Sequence, residues 1–265
     1  MLFMNTYTNN NTARRYMAHV STLESTQIHL RNPYITAWWS AAFPGFGHLL
    51  LGKNIRGFVL FLWEVVVNVQ AHLNLAIIYS FQGEFAMAQG VVDTRWLLAY
   101  MPVYLFGIWD TYRTTVDLNK ICILAEREDH RFNSFSIGPL EINYLDKRNP
   151  VMAMMWSLFI PGLGQLYVHR IITAFFMITW VAVFLYYSQV LTAIPLLFQG
   201  NVQQATSVVC AKWLLFLPSM YGFSAYDAYV DTVENNKLFE REQRNFLKDN
   251  YQWTGFQLRK GQKVR

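Results

Sequence analysis

Three kinds of segment alternate along the chain: apolar runs, short polar loops and charged stretches. Apolar residues dominate at about 35–51, 57–81 and 96–109, and the same order returns at about 152–168, 172–198 and 213–227. The second run of each set is long enough to cross a hydrocarbon core of about 30 Å. The first run of each set is short and contains Pro-Gly, which disfavours a straight membrane helix.

The two sets are copies of one unit. When residues 31–120 are placed on residues 148–237, an offset of 117 positions, 32 of the 90 positions are identical. Similarity at a fixed offset is the sequence signature of a repeat architecture. We therefore divide the chain into a polar N-terminal tail (1–30), a membrane repeat with a charged stalk (31–131), a linker (132–147), a second membrane repeat with its stalk (148–246) and a basic C-terminal tail (247–265).

The Lys and Arg residues predict how the repeats lie in a membrane. If only the second and third runs of each repeat cross, 20 of the 22 Lys and Arg residues share one side, opposite Arg95 and Lys212. If all six runs cross, the best division is 13 against 9. Because basic residues concentrate in the cytoplasm, we predict an all-α integral protein of the cell membrane with both termini cytoplasmic. Each repeat is then a short re-entrant or interfacial segment followed by a two-helix transmembrane hairpin, and six spans are the alternative.

The composition supports this assignment and excludes several classes of function. Hydrophobic residues make up 53% of the chain and charged residues 15%, against about 25% charged residues in soluble domains. The net charge of +5 lies between the apolar runs, as expected of cytoplasmic flanks beside anionic lipid rather than of a nucleic-acid-binding protein. Two cysteines at non-equivalent positions and scattered histidines predict no disulfide and no metal site. We find no phosphate-binding loop and no nucleophile motif, and we predict no cofactor and no enzymatic activity.

The most prominent repeated motif is a Pro-Gly-x-Gly turn followed by His or Gln. It consists of Pro44, Gly45, Gly47 and His48 in the first repeat and of Pro161, Gly162, Gly164 and Gln165 in the second. From the residues alone, the turn either lets two helices approach closely, as glycine allows, or contacts a ligand.

With the basic residue that follows it, this turn resembles that of the two-transmembrane-segment domain family, which has bacterial and eukaryotic members. The resemblance covers about 40 residues of each repeat and implies a helical membrane unit. Leu50 replaces the family's Tyr, His169 stands where a glycine is expected, and the acidic-Arg-Phe signature of the eukaryotic members is absent. The resemblance therefore implies an architecture and no particular activity.

Polar side chains within the second run form a second candidate site. Glu64, Asn68 and His72 are spaced four residues apart, which places them on one face of a helix. An ionisable group within a membrane is a functional hypothesis by default. This row would either relay protons or bind a cation, or form a buried hydrogen-bond network between spans.

Two aspartates recur near the cytoplasmic end of the third run, Asp110 in the first repeat and Asp227 in the second. A carboxylate at this depth is costly and is usually paired. We predict that each forms a structural ion pair with the segment before the turn (Arg31 or Arg148) or after it (Lys53 or Arg170). The alternative is an ion or substrate path.

The outer loop is also retained between the repeats. Its shared residues are Phe81, Gln82 and Gly83 in the first repeat and Phe198, Gln199 and Gly200 in the second. Because loops diverge faster than cores, these residues are either a shared turn at the outer surface or contacts for a partner.

Three classes of function follow from these features. The first is a structural, accessory or regulatory subunit that lies in the bilayer and binds another membrane protein or itself. The second is a transporter or channel for a small solute or an ion, working as an oligomer. The third, a membrane-embedded enzyme acting on lipid, ranks last because no nucleophile–base pair is visible.

Overall fold

The computed structural model describes residues 14–251, and the parts of the two predicted tails at 1–13 and 252–265 lie outside the described residues. The first half contains strands β1 (Ala18–Val20) and β2 (Ser25–Gln27) and helices α1 (Pro33–Ala42), α2 (Phe46–Leu50), α3 (Asn54–Ala71), α4 (Leu73–Phe81), α5 (Phe85–Val91) and α6 (Thr94–Glu128). The second half contains strands β3 (Phe135–Ile137) and β4 (Ile142–Tyr144) and helices α7 (Pro150–Phe159), α8 (Leu163–Tyr167), α9 (Ile171–Ser188), α10 (Val190–Phe198), α11 (Val202–Val208), α12 (Ala211–Leu214) and α13 (Phe216–Tyr251). The chain is mostly helical, as predicted.

The elements of the second half follow those of the first at a constant distance. Each element from β1 to α6 has a counterpart that begins 117 positions later, with α12 and α13 together replacing α6. This is the offset that aligns the sequences, so corresponding residues occupy corresponding elements. We call residues 14–130 unit 1 and residues 131–248 unit 2.

The two antiparallel hairpins are an addition to the predicted all-α fold. β1 pairs with β2, and β3 pairs with β4 in the equivalent register. In β1, Ala18 and Val20 are buried while His19 is exposed, the alternation expected of a strand with one covered face. The segments predicted as an N-terminal tail and a linker therefore each contain a folded hairpin, and the structural unit begins before residue 31.

Local sequence explains where the helices begin and where they break. Asn32 and Asn149 cap α1 and α7 through their side chains, and each is followed by proline at the first helical position, a favoured arrangement. The predicted second run of unit 1 breaks at His72, which adopts a left-handed conformation (φ 58°). As a result, α3 and α4 are bent by 64° relative to each other.

One helix, Ile171–Ser188, is by itself long and apolar enough to cross a membrane. Two bent pairs, α3 with α4 and α11 with the α12–α13 segment, have the same property only if each pair counts as one span. Length and composition thus allow one to three spans in residues 14–251.

Aromatic side chains form the main core, which lies between the two units. Phe46 of unit 1 stacks on Phe223 of unit 2 with ring centroids 4.1 Å apart, and Phe61 contacts Phe184 at 6.2 Å. All four rings are fully buried. Because such rings contribute most of the energy of a packed core, this contact fixes the two units against each other.

Candidate functional site

The Pro-Gly-x-Gly turns are closely packed joints within each unit. Gly45 and Gly162 have φ values of 101° and 108°, a region that side chains other than glycine disfavour. A Cβ added at Gly162 would lie 2.7 Å from the carbonyl oxygen of Ala174 on α9. Each turn therefore packs against the following helix of its own unit, where only glycine fits.

The residue after each turn connects it to the predicted aspartate. The His48 ring is fully buried, and its Nε2 lies 3.1 Å from Oδ2 of Asp110. In unit 2 the Gln165 side chain donates to Oδ2 of Asp227 at 3.0 Å and to the carbonyl oxygen of Ser224 at 2.9 Å. The turn motif and the aspartate, two separate sequence features, thus belong to one polar contact in each unit.

The partners of the aspartates differ between the units. Asp227 accepts from Arg170 at 2.9 Å, and Arg170 is one of the partners that the sequence pattern named. Asp110 instead binds Arg56, at 2.9 Å, in addition to His48. The prediction that Asp110 pairs with Arg31 or Lys53 was wrong, because the His48 ring and Arg56 reach its carboxylate from within the unit.

Arg170 is the centre of a buried charge cluster that joins both units. Its guanidinium group contacts Asp227 and Asp231 from α13, and its Nε lies 3.3 Å from Oε1 of Glu24 in the β1–β2 hairpin. It also donates to the carbonyl oxygen of Leu49 in unit 1 at 3.3 Å. The Arg170 side chain is 5% exposed and that of Asp227 is fully buried. One cation therefore links three carboxylates and three separate parts of the chain.

A second cation completes this cluster. Arg31 binds Asp231 at 3.2 Å, and its side chain is 13% exposed. The backbone supports the same junction, because the amide of Ile171 donates to the carbonyl oxygen of Leu23 at 3.1 Å. His29 lies beside these groups, and burial together with the charge of Arg31 lowers its pKa to about 4. Neither ring nitrogen of His29 has a hydrogen-bond partner among the described residues.

Glu24 and Asp231 were missed by the sequence reasoning. Glu24 has a counterpart, Glu141, at the offset of 117, so extending the alignment before residue 31 would have singled it out. Asp231 corresponds to Thr114 and gave no such signal.

The predicted row Glu64, Asn68 and His72 is present only in part. The Asn68 side chain donates to Oε1 of Glu64 at 3.0 Å, and both residues are buried. His72 lies beyond the end of α3 and is exposed, so its place on the same face was wrong. Asn74 joins the row instead of His72: its side-chain oxygen accepts from Asn68 at 3.1 Å, and its side-chain amide donates to the carbonyl oxygen of Lys212 in unit 2 at 2.8 Å. Oε2 of Glu64 is buried and makes no hydrogen bond of normal length among the described residues, although the Tyr100 hydroxyl lies beside this carboxylate.

The outer-loop residues form exposed turns at the ends of α4 and α10. Phe81 is 83% exposed and Phe198 is 88% exposed. Gln82 and Gln199 are the C-cap residues of these helices, and Gly83 and Gly200 follow with φ values of 81° and 76°. Glycine supplies the positive φ that ends each helix, while the rings of Phe81 and Phe198 are exposed.

Within residues 14–251, no group of three or more His, Cys, Asp or Glu side chains is arranged to hold a metal ion. The three carboxylates of the Arg170 cluster are instead paired with two cations, Arg170 and Arg31. Chemically, this arrangement joins segments of both units through paired charges.

Comparison with known proteins adds no relative from which a role could be transferred: no protein-family model matches this chain, and neither a curated protein nor a solved structure matches it.

Proposed function

We propose that this chain is a multi-pass membrane protein that acts as a structural or accessory subunit and binds another membrane protein. The observation that carries the proposal is the use of its buried ionisable groups. Arg170 holds Asp227, Asp231 and Glu24, while His48 holds Asp110. Ionisable groups inside a membrane either pair with one another or line a path, and although Asp110 also borders the groove between α3 and α6, each of these carboxylates is paired. Here they tie helices and a hairpin together, as expected of a scaffold.

The proposed membrane arrangement has four spans, formed by α3–α4, α6, α9–α10 and α12–α13, with both termini cytoplasmic. Although its composition does not mark it as a span, α6 has 35 residues, which at about 1.5 Å per residue exceeds the thickness of a bilayer. Its exposed side chains include Leu98, Met101 and Leu105, each at least 50% exposed, as expected of a lipid-facing surface. The turns after α1 and α7 form the re-entrant segments, and this architecture is the one that the two-transmembrane-segment resemblance implies.

We propose that the two outer turns bind the partner protein. Phe81 and Phe198 present large apolar rings at equivalent positions. Exposed aromatic side chains are common anchors of protein interfaces. They also anchor proteins at the membrane surface, so the test must separate these two roles.

The test is purification of the tagged protein from its native membrane after light crosslinking, compared with Phe81→Ala/Phe198→Ala. The matched control is Phe135→Ala/Tyr144→Ala, which removes two exposed aromatic side chains from the β3–β4 hairpin. The proposal predicts a membrane partner in stoichiometric amount that only the loop variant loses. Recovery of the same partner with the loop variant would assign Phe81 and Phe198 to anchoring. Absence of any co-purifying membrane protein with the wild-type chain would refute the accessory function.

Transport is the second candidate, and Glu64 favours it. Its carboxylate is buried, and one carboxylate oxygen makes no hydrogen bond of normal length among the described residues, although the Tyr100 hydroxyl lies beside it; an ionisable group at this depth is a functional hypothesis. Glu64→Gln keeps the shape and the bond to Asn68. Loss of ion or solute flux in liposomes with normal assembly would establish transport, whereas impaired assembly would assign Glu64 to the packing of α3 against unit 2.

A further inference from the structure

Equivalent positions of the two units differ in burial on the face formed by α1 and α2 or by α7 and α8. In unit 1, Trp39 and Phe43 are 8% and 3% exposed because they pack on Phe223 and Phe216 of unit 2. Their counterparts in unit 2, Trp156 and Ile160, are 44% and 37% exposed. The same apolar face is thus covered in unit 1 and open in unit 2.

The reverse holds for the face formed by α3 and α6 or by α9 and α13. Phe223 on α13 is fully buried, whereas its counterpart Phe106 on α6 is 53% exposed. Phe176 on α9 stacks on Phe58 of unit 1 with ring centroids 4.1 Å apart, whereas its counterpart Val59 is 60% exposed. This face is therefore open in unit 1, whereas in unit 2 it is covered by unit 1.

These differences define the symmetry of the junction. An isologous contact would bury the same positions in both units, but here unit 1 contributes α1, α2 and the side of α3 that carries Phe58 and Phe61, while unit 2 contributes α9 and α13. The contact is heterologous, the type that continues into a ring or a filament. Both hairpins lie at the same end of the molecule, since Asn143 of the second donates to the carbonyl oxygen of Ser21 in the first at 2.7 Å. The units are thus parallel, so further units could join in one membrane plane.

We propose that a second copy of this chain repeats the internal junction between molecules, with its α7–α8 face seated on the open α3–α6 face of the first copy. The proposal rests on the proposed membrane scaffold function and adds a second partner, another copy of the chain itself. The receiving surface is a groove of about 520 Å³ that is lined by Ile55, Val59, Leu60, Phe106, Trp109 and Asp110, among others. The α7–α8 face supplies Trp156, Ile160 and Leu166, each at least 37% exposed.

Charge at the junction agrees with this occupant. Inside the chain, Glu24 of unit 1 pairs with Arg170 of unit 2. At the offset of 117 these positions are Glu141 and Lys53, so opposite charges would again meet between two copies. Glu141 is exposed although its Oε1 lies 3.9 Å from Nδ1 of His169 in its own unit, and Lys53 is partly exposed, so both side chains are accessible to a neighbouring molecule.

Thiol-specific crosslinking between copies tests the proposal. The internal contact of Phe46 with Phe223 corresponds to Leu163 of one copy with Phe106 of the other. In a background of Cys122→Ser and Cys210→Ser, one tagged chain carries Phe106→Cys and a second, differently tagged chain carries Leu163→Cys. We expect a short bismaleimide to give a product with both tags. Each variant alone should give far less, because like positions do not meet in a heterologous contact.

Three outcomes decide the question once Asp129→Cys/Arg241→Cys, an exposed pair that joins unit 1 to unit 2, crosslinks within one chain as the positive control. Phe106 is exposed and Leu163 is partly exposed, so these two variants are expected to fold. A mixed product supports the proposal. Absence of any product between copies would overturn the proposal and would mean that lipid covers the groove. Equal products from like and mixed pairs would overturn it as well. If the accessory function holds, a different membrane protein would still co-purify with the chain, so failure of self-association is distinguishable from failure of the function.

A charge exchange gives an independent readout. Lys53→Glu and Glu141→Lys should each reduce the mixed product severalfold, and the combined variant should recover most of it. No change in any of the three variants would remove the charge pair from the interface and contradict the proposed seating.

Discussion

Removing the cation at the centre of the buried cluster is expected to destabilise the fold more than any other single charge change. Among the described residues, Arg170→Met would leave Asp227 with Gln165 as its one side-chain donor and Glu24 with Asn54 as its one side-chain donor. Asp231 would still bind Arg31. Breaking a buried ion pair by removing one partner costs about 3–5 kcal/mol, because an uncompensated charge stays buried. The Arg170 side chain is 5% exposed, so solvent would screen little of this cost.

Thermal unfolding in mild detergent measures the effect. At about 2–4 °C per kcal/mol for a chain of this size, Arg170→Met should lower Tm by roughly 10 °C. The matched control is Lys53→Met, the same change at the equivalent position of unit 1, where we expect less than about 1 kcal/mol. Asp227→Asn on top of Arg170→Met should recover part of the loss, since it removes the unpaired charge. Equal Tm values for Arg170→Met and Lys53→Met would show that the buried cluster contributes no more to stability than the exposed position does.

Three further expectations follow from single positions. Gly162→Ala should cost roughly 2–4 kcal/mol through its positive φ and a close approach to α9, and Gly200→Ala, with positive φ but no neighbour within 4 Å, should lower Tm clearly less. The pKa of His29 is about 4 in the fold against about 6.5 when unfolded, so the unfolded chain binds the proton first as the pH falls. The free energy of unfolding should therefore decrease by up to about 3 kcal/mol as the pH drops from 6.5 through 4. A Tm difference between wild type and His29→Gln that does not change with pH would contradict this. Four spans predict that an impermeant thiol reagent applied to intact cells labels Gln82→Cys but not Lys120→Cys, both in a background without native cysteines. Lys120 is used because the native Cys122 is buried and would not report which side of the membrane it faces. Labelling of Lys120→Cys would exclude this topology.

The repeat and its turns could be predicted from the sequence because the signals are local. Proline and glycine interrupt an apolar run wherever they occur, and an offset between duplicated segments does not depend on tertiary contacts. The pair of Asp227 with Arg170 was also among the predicted partners, because a carboxylate at the end of a span needs a nearby cation.

What could not be predicted depends on contacts between distant segments. The hairpins are only three residues per strand, and strands this short are stable only when packed against other elements. The break at His72 follows from the left-handed backbone of a residue type that usually tolerates a helix. Asp231 is paired because α13 lies beside both Arg31 and Arg170, a neighbourhood that exists only in the assembled fold.

The two junctions of a heterologous repeat are free to diverge, and the sequence differences are concentrated where this matters. At the internal junction, unit 2 carries Arg170 and Asp231, and two cations and three carboxylates are buried together. At the outward junction the same positions are Lys53 and Thr114, so one charge pair is lost and the other is placed on more exposed side chains. Exposed pairs contribute about 0–1 kcal/mol, whereas breaking a buried one costs several. Under the proposed seating, the junction within each molecule is fixed, and the copy of it between molecules is weaker and can form and dissociate.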